Sequence, residues 1–79
     1  MKTSRWKDMK YNEELDCWVV YWGDNTGYKV RCGDWFEIHL GDGRKLSCRI
    51  ELGRDWYIIV GRNETRFYLK QNETYQVDI

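Results

Sequence analysis

In Arg44-Lys45-Leu46-Ser47-Cys48-Arg49-Ile50-Glu51-Leu52, apolar and polar side chains trade places at every step. Leu46, Cys48, Ile50 and Leu52 fall on one side; Lys45, Ser47, Arg49 and Glu51 fall on the other. Successive side chains of a strand leave opposite faces of its sheet, so this period of two predicts a strand with one dry face and one wet face. No part of the chain sustains the 3.6-residue apolar period of a helix, and no helix longer than about one or two turns is expected.

Toward the N-terminus, Gly41-Asp42-Gly43 carries the strongest hairpin signal, because glycine and aspartate tolerate the positive φ of tight turns. It joins the alternating run to residues 35–40, where Phe36, Ile38 and Leu40 point inward and Trp35, Glu37 and His39 outward. Further back, residues 28–32 alternate until Gly33-Asp34 breaks them. Residues 17–22 are apolar on both faces and read as a central strand. Residues 6–11 oppose Lys7, Met9 and Tyr11 to Trp6, Asp8 and Lys10. The turn-rich segment 23–27 closes a hairpin-like loop between two of these runs. Toward the C-terminus, Gly53-Arg54-Asp55 leads into the apolar run 56–60. Residues 67–69, a tight bend at 70–73 and a closing strand at 75–79 complete the chain.

Seventy-nine residues have room for one core, so residues 1–79 are expected to form one small β domain, with residues 1–5 mobile. A chain this short buries only about 60% of the surface its unfolded form exposes, and every large apolar group matters. Five Trp and six Tyr answer part of that difficulty, since each buried ring removes roughly 150–250 Å² from water. The expected fold is all-β: a small SH3-like barrel or roll of five to seven short antiparallel strands, with at most one short 3₁₀ turn near the C-terminus. Closing the sheet would remove most exposed edges. The expected core is Val19, Tyr21, Val30, Phe36, Ile38, Leu40, Leu46, Cys48, Ile50, Leu52, Ile58, Val60, Phe67, Leu69, Val77 and Ile79.

Thirteen basic and thirteen acidic residues give a formal charge of zero. A dedicated nucleic-acid binder needs a surplus of Lys and Arg for phosphate contacts, so the balance disfavours that class. No apolar stretch follows the basic residues of 1–6, and neither a signal peptide nor a membrane span is expected. Cys17, Cys32 and Cys48 are an odd, widely spaced set, unlike the paired staples of small secreted domains; a reducing, cytoplasmic setting is the simpler reading. Asn63-Glu64-Thr65 and Asn72-Glu73-Thr74 then act as turn residues, not glycosylation acceptors.

Several short stretches carry a family resemblance: Tyr11-Asn12-Glu13-Glu14 ahead of Trp18, Cys32-Gly33-Asp34-Trp35-Phe36-Glu37, Cys48-Arg49-Ile50-Glu51, Trp56-Tyr57, and Thr74-Tyr75-Gln76-Val77-Asp78-Ile79. Together they resemble an uncharacterised family of small bacterial all-β domains often carried on plasmids and integrative elements. The resemblance implies a bacterial or phage-related cytoplasmic protein. It supplies no activity and no catalytic residue.

The residues themselves point away from catalysis. Zinc sites draw paired ligands from closely spaced cysteines, whereas these cysteines lie about fifteen residues apart with His39 as the single imidazole. No metal and no cofactor is expected. Cys17 and Cys48 read as small buried hydrophobes. Cys32 could be accessible beside Gly33, yet a nucleophile needs a base within reach, so Gly33 and Asp34 read as turn residues. Glu37, His39, Arg49 and Glu51 could share one wet face; cross-strand charge pairing accounts for them without a pocket. The aromatics carry more information, because there are more of them than inward positions. The chain is therefore expected to be a non-enzymatic domain binding a protein through Trp35, Glu37, His39, Arg49, Tyr57 and Tyr68, as a mobile-element accessory regulator or host-factor inhibitor. The alternative is a single-stranded nucleic-acid module using those aromatics with Lys29, Arg31, Lys45 and Arg49. Homodimerisation stays open.

Overall fold

The computed structural model describes residues 5–22 and 27–79. Eight strands follow in chain order: β1 (Lys7–Asn12), β2 (Cys17–Tyr21), β3 (Gly27–Lys29), β4 (Trp35–Gly41), β5 (Arg44–Leu52), β6 (Trp56–Val60), β7 (Thr65–Tyr68) and β8 (Tyr75–Asp78). All pair antiparallel in one sheet, in the order β3-β2-β1-β8-β4-β5-β6-β7. The chain is all-β, as its alternation predicts. Eight strands exceed the expected five to seven, and the sheet stays open: β3 and β7 end it, with no ladder between them among the described residues.

The chain's last strand holds the sheet together. β8 pairs with β1 through Lys7–Val77 and with β4 through Ile38–Val77. It thereby joins the β1–β3 meander to the β4–β7 meander, and Val77 between them has no exposed surface.

The hairpin signal at 41–43 holds. Gly41, Asp42 and Gly43 have φ of 88°, 51° and 74°, and positive φ at both central residues is what a two-residue turn of primed type demands. The β4–β5 register slips between His39 and Gly41, since His39 faces Lys45 and Gly41 faces Arg44. That slip is a bulge at Leu40.

The inner face gathers Met9, Trp18, Val20, Val30, Phe36, Ile38, Cys48, Ile50, Trp56, Ile58 and Val77 into one core. Trp18 is its largest member, fully buried and met edge-on by Tyr11 and Tyr75 at 5.7 and 5.6 Å. Its Nε1–H has no hydrogen-bond acceptor. The connection from β3 to β4 straps one end of this face: Val30 N–H donates to Trp18 O, and Gly33 N–H to Ile50 O, at 2.9 and 2.8 Å.

Several expected core positions are corrected. Leu40, Leu52 and Phe67 are about half exposed, and Tyr21 is half-buried. Leu40 sits at the bulge, Leu52 ends its strand, and Phe67 lies on the edge strand with nothing over it. Met9, Trp18, Val20 and Trp56 are buried although they were not expected there. Cys17 is half-buried, Cys32 exposed and Cys48 buried. Residues 1–4 and 23–26, to which most of the expected mobile terminus and the expected loop belong, lie outside the described residues. Arg5 contacts Glu37 and Asp78 at 3.0 and 3.5 Å.

Candidate functional site

Four strands, β4 to β7, present the outer face on which the candidate residues were expected. Strand pairing aligns them in rows. Trp35 faces Arg49, Arg49 faces Ile59, and Ile59 faces Arg66. The next row runs Glu51, Tyr57, Tyr68. Directly opposed side chains on one face of a sheet lie close enough to touch.

They do touch. The Arg49 guanidinium stands 5.7 Å from the Trp35 ring, and Arg66 stands 5.1 Å from the Tyr57 ring. Tyr57 and Tyr68 meet at 5.4 Å with planes tilted by 49°. A cation within about 6 Å of a ring face is attracted by its quadrupole, so each guanidinium braces an aromatic plate. Trp35 is 63% exposed and Tyr68 57%. Arg49 Nε also lies 2.8 Å from Glu51 Oε2. That contact is charge attraction without hydrogen-bond alignment, because the buried Nε makes no hydrogen bond. Arg66 has no carboxylate partner among the described residues.

Glu37 and His39 share the face but belong to a different cluster. Glu37 pairs with Arg5 at 3.0 Å and with Lys45 at 3.4 Å. The His39 ring meets Trp6 edge-on at 4.8 Å, and its Nδ1 accepts the Gly41 N–H at 3.3 Å. The N-terminal approach to β1 therefore lies against this half of the face. Glu37 and His39 face Ser47 and Lys45, not Arg49 and Glu51, so the expected grouping of these four side chains does not assemble. Of the six expected residues, Trp35, Arg49, Tyr57 and Tyr68 form one accessible patch. Ile59 and Arg66 were missed, although the alternation of 56–60 and 65–68 puts both on this face.

The cations needed for strand-like nucleic acid do not gather on the patch. Lys45 and Arg49 are each tied to a carboxylate. Lys29 and Arg31 instead line a shallow groove of about 720 Å³ beside β3, with Cys17, Tyr28, Cys32 and Trp56. Asp34 builds the turn there: its carboxylate accepts the Arg31 N–H at 2.9 Å and the Tyr28 hydroxyl at 2.7 Å. A second concavity, about 380 Å³, opens on the inner face at the end away from the strap. Ile38, Leu40, Val60, Phe67, Leu69 and Tyr75 line it among others. Both cavities lack a metal-ligand set, for no group of three His, Cys, Asp or Glu side chains converges among the described residues. No helix among them is long and apolar enough to cross a membrane.

Comparison with known proteins places the chain in a family. A family model described as a domain of unknown function, DUF5348, matches residues 7–79, and the chain belongs to that family. No curated protein and no solved structure matches it.

Proposed function

We propose that this member of the DUF5348 family is a non-enzymatic, SH3-like binding module that takes a protein partner on the outer face of β4–β7. The contact residues are Trp35, Arg49, Tyr57, Arg66 and Tyr68, with Ile59 at their centre. One observation carries the reading: two exposed rings, Trp35 and Tyr68, bound one sheet face between them, on which Arg49 packs against Trp35 and Arg66 against Tyr57, the ring beside Tyr68. Trp, Tyr and Arg dominate the energetics of protein interfaces, and Trp and Tyr bury large area with little loss of side-chain freedom. Arg66, with no carboxylate partner among the described residues, favours a partner segment that offers one beside an apolar side chain. A cytoplasmic role as an accessory regulator or host-factor inhibitor on a bacterial mobile element is the setting in which such a module fits.

The test is capture from lysate by the tagged wild-type domain against Trp35→Ala and Tyr68→Ala. Both residues are largely exposed, so both variants should fold, as checked by circular dichroism. Loss of the same captured protein in both supports the patch. A folded pair of variants that retains every partner removes it.

A further inference from the structure

The two ends of the open sheet differ. β3 is three residues long and carries Lys29, two of the usual ways of blunting an edge against other strands. β7 is one residue longer and carries Arg66, but its charge is flanked by two exposed aromatic rings. All four of its residues, Thr65-Arg66-Phe67-Tyr68, are exposed, and Phe67 and Tyr68 are each more than half exposed. It contains no proline and no bulge, and no strand among the described residues pairs with its outer side.

The backbone pattern says which groups are available. Leu69 N–H donates to Trp56 O at 3.1 Å, and the β6–β7 register runs without a slip. Bonded pairs in an antiparallel ladder recur at every second residue. Thr65, Phe67 and Leu69 therefore direct their backbone groups to β6. Arg66 and Tyr68 direct theirs outward, unpaired.

We propose that a second copy of this chain occupies that edge, β7 against β7 about a two-fold axis, with Phe67 facing its own copy. Side-chain chemistry selects the register. Opposed residues must share a face, and the bonding pairs must come from the outward-directed set. Three symmetric registers, centred on residues 66, 67 and 68, meet both conditions. One sets Arg66 on Arg66 of the copy. Another sets Arg66 on Lys70 twice. Like charges directly opposite destabilise a ladder, so both are disfavoured.

The third sets Arg66 on Tyr68 twice and Phe67 on Phe67. It forms four backbone hydrogen bonds and adds an aromatic neighbour to each guanidinium that already lies over Tyr57. Phe67 then sits in a non-bonded pair, where Cα atoms approach to about 4.5 Å, and its ring joins Leu69 beside the inner concavity. Zero net charge leaves no long-range repulsion to oppose the approach. Because edges meet, the outer faces remain open, and the two aromatic patches become neighbours on one sixteen-stranded sheet. The dimer stands independently of the partner-binding reading.

Such a short edge gives a small interface, so association is expected at roughly 10–1,000 μM. Sedimentation over that range should move the mass from the 9.7 kDa monomer toward twice that value. Arg66→Pro removes an N–H that the monomer does not use and should weaken association at least about tenfold. Phe67→Lys, at an exposed position, gives the same readout if the proline variant unfolds. In a Cys32→Ser background, Phe67→Cys should oxidise to a covalent dimer, since the expected Cα separation suits a disulfide. Thr65→Cys should not, because that residue faces Leu69 of the copy. A monomer throughout the range with no Phe67→Cys cross-link overturns the proposal. So does a dimer that survives both Arg66→Pro and Phe67→Lys.

Discussion

Raising the pH should loosen this domain through a single thiol. Cys48 has no exposed surface, and its Sγ donates to Phe36 O at 3.5 Å. Burial pushes the thiol up from 9.0 to about 12, because a thiolate there would sit in apolar surroundings. The unfolded chain ionises the same group near 9.0. Between the two values the unfolded state gives up a proton that the folded state keeps. Stability is therefore whole below about pH 9 and falls as the pH climbs toward 12. The slope is at most about 1.4 kcal/mol per pH unit, which accumulates to about 2–3 kcal/mol by pH 11. For a domain whose total stability is on the order of 5 kcal/mol, that is a large share. The assay is urea unfolding followed by tryptophan fluorescence at steps from pH 7 to 11, on the wild type and Cys48→Ala. At neutral pH the variant should be less stable by roughly 1–2 kcal/mol, from the small void. Its curve should then fall more slowly, so that the two converge. Tyr11, raised to about 12 by its hydrogen bond to Asp16, and Tyr75, raised by burial, add alkaline loss to both proteins and cancel in the difference. Parallel curves from pH 9 to 11 would refute the reasoning.

The same thiol should be silent toward a labelling reagent in the native protein at pH 8, while exposed Cys32 reacts at once; equal rates would contradict the burial of Cys48. Trp18→Ala empties the centre of the core and should cost about 3–5 kcal/mol, enough to leave much of the protein unfolded at 25 °C in a thermal scan. Asp34→Ala leaves the Arg31 N–H and the Tyr28 hydroxyl without their acceptor and should lower stability by about 1–3 kcal/mol in urea. Arg5→Ala breaks contacts with Glu37 and Asp78 in which Arg5 itself is 47% exposed. It should cost less than about 1 kcal/mol and nothing measurable in 1 M salt.

Local signals carried most of the fold. Alternation in residues 44–52 gave the burial of Cys48 and Ile50 and the exposure of Ser47, and the glycines around Asp42 gave the hairpin. Parity also carried more than was drawn from it: Trp56 shares a face with Ile58, and Met9 alternates with Asp8 and Lys10. Other features depend on distant partners and leave no local mark. Leu40 fits the inward pattern of its strand and does line the inner concavity, yet beside the slipped register with β5 it stays half exposed. Phe67 fits too, but its exposure follows from β7 having no neighbour, which is a matter of strand order. At the candidate patch, the outward direction of Trp35, Arg49 and Tyr68 was legible. The division between Trp35–Arg49 and Glu37–His39 was not, because Arg5 and Trp6 reach the latter pair from more than thirty residues away.

Strand β8 has a consequence for how the molecule comes into being. During synthesis both meanders emerge before it, each with a raw margin and half a core. Among the described residues no ladder links them until residues 75–78 arrive. A nascent chain stalled before that point should hold two hairpin sets exposing Met9 and Ile38, a species for chaperones or proteases. Residues 75–78 thus work as a zip between two halves that precede them in the chain.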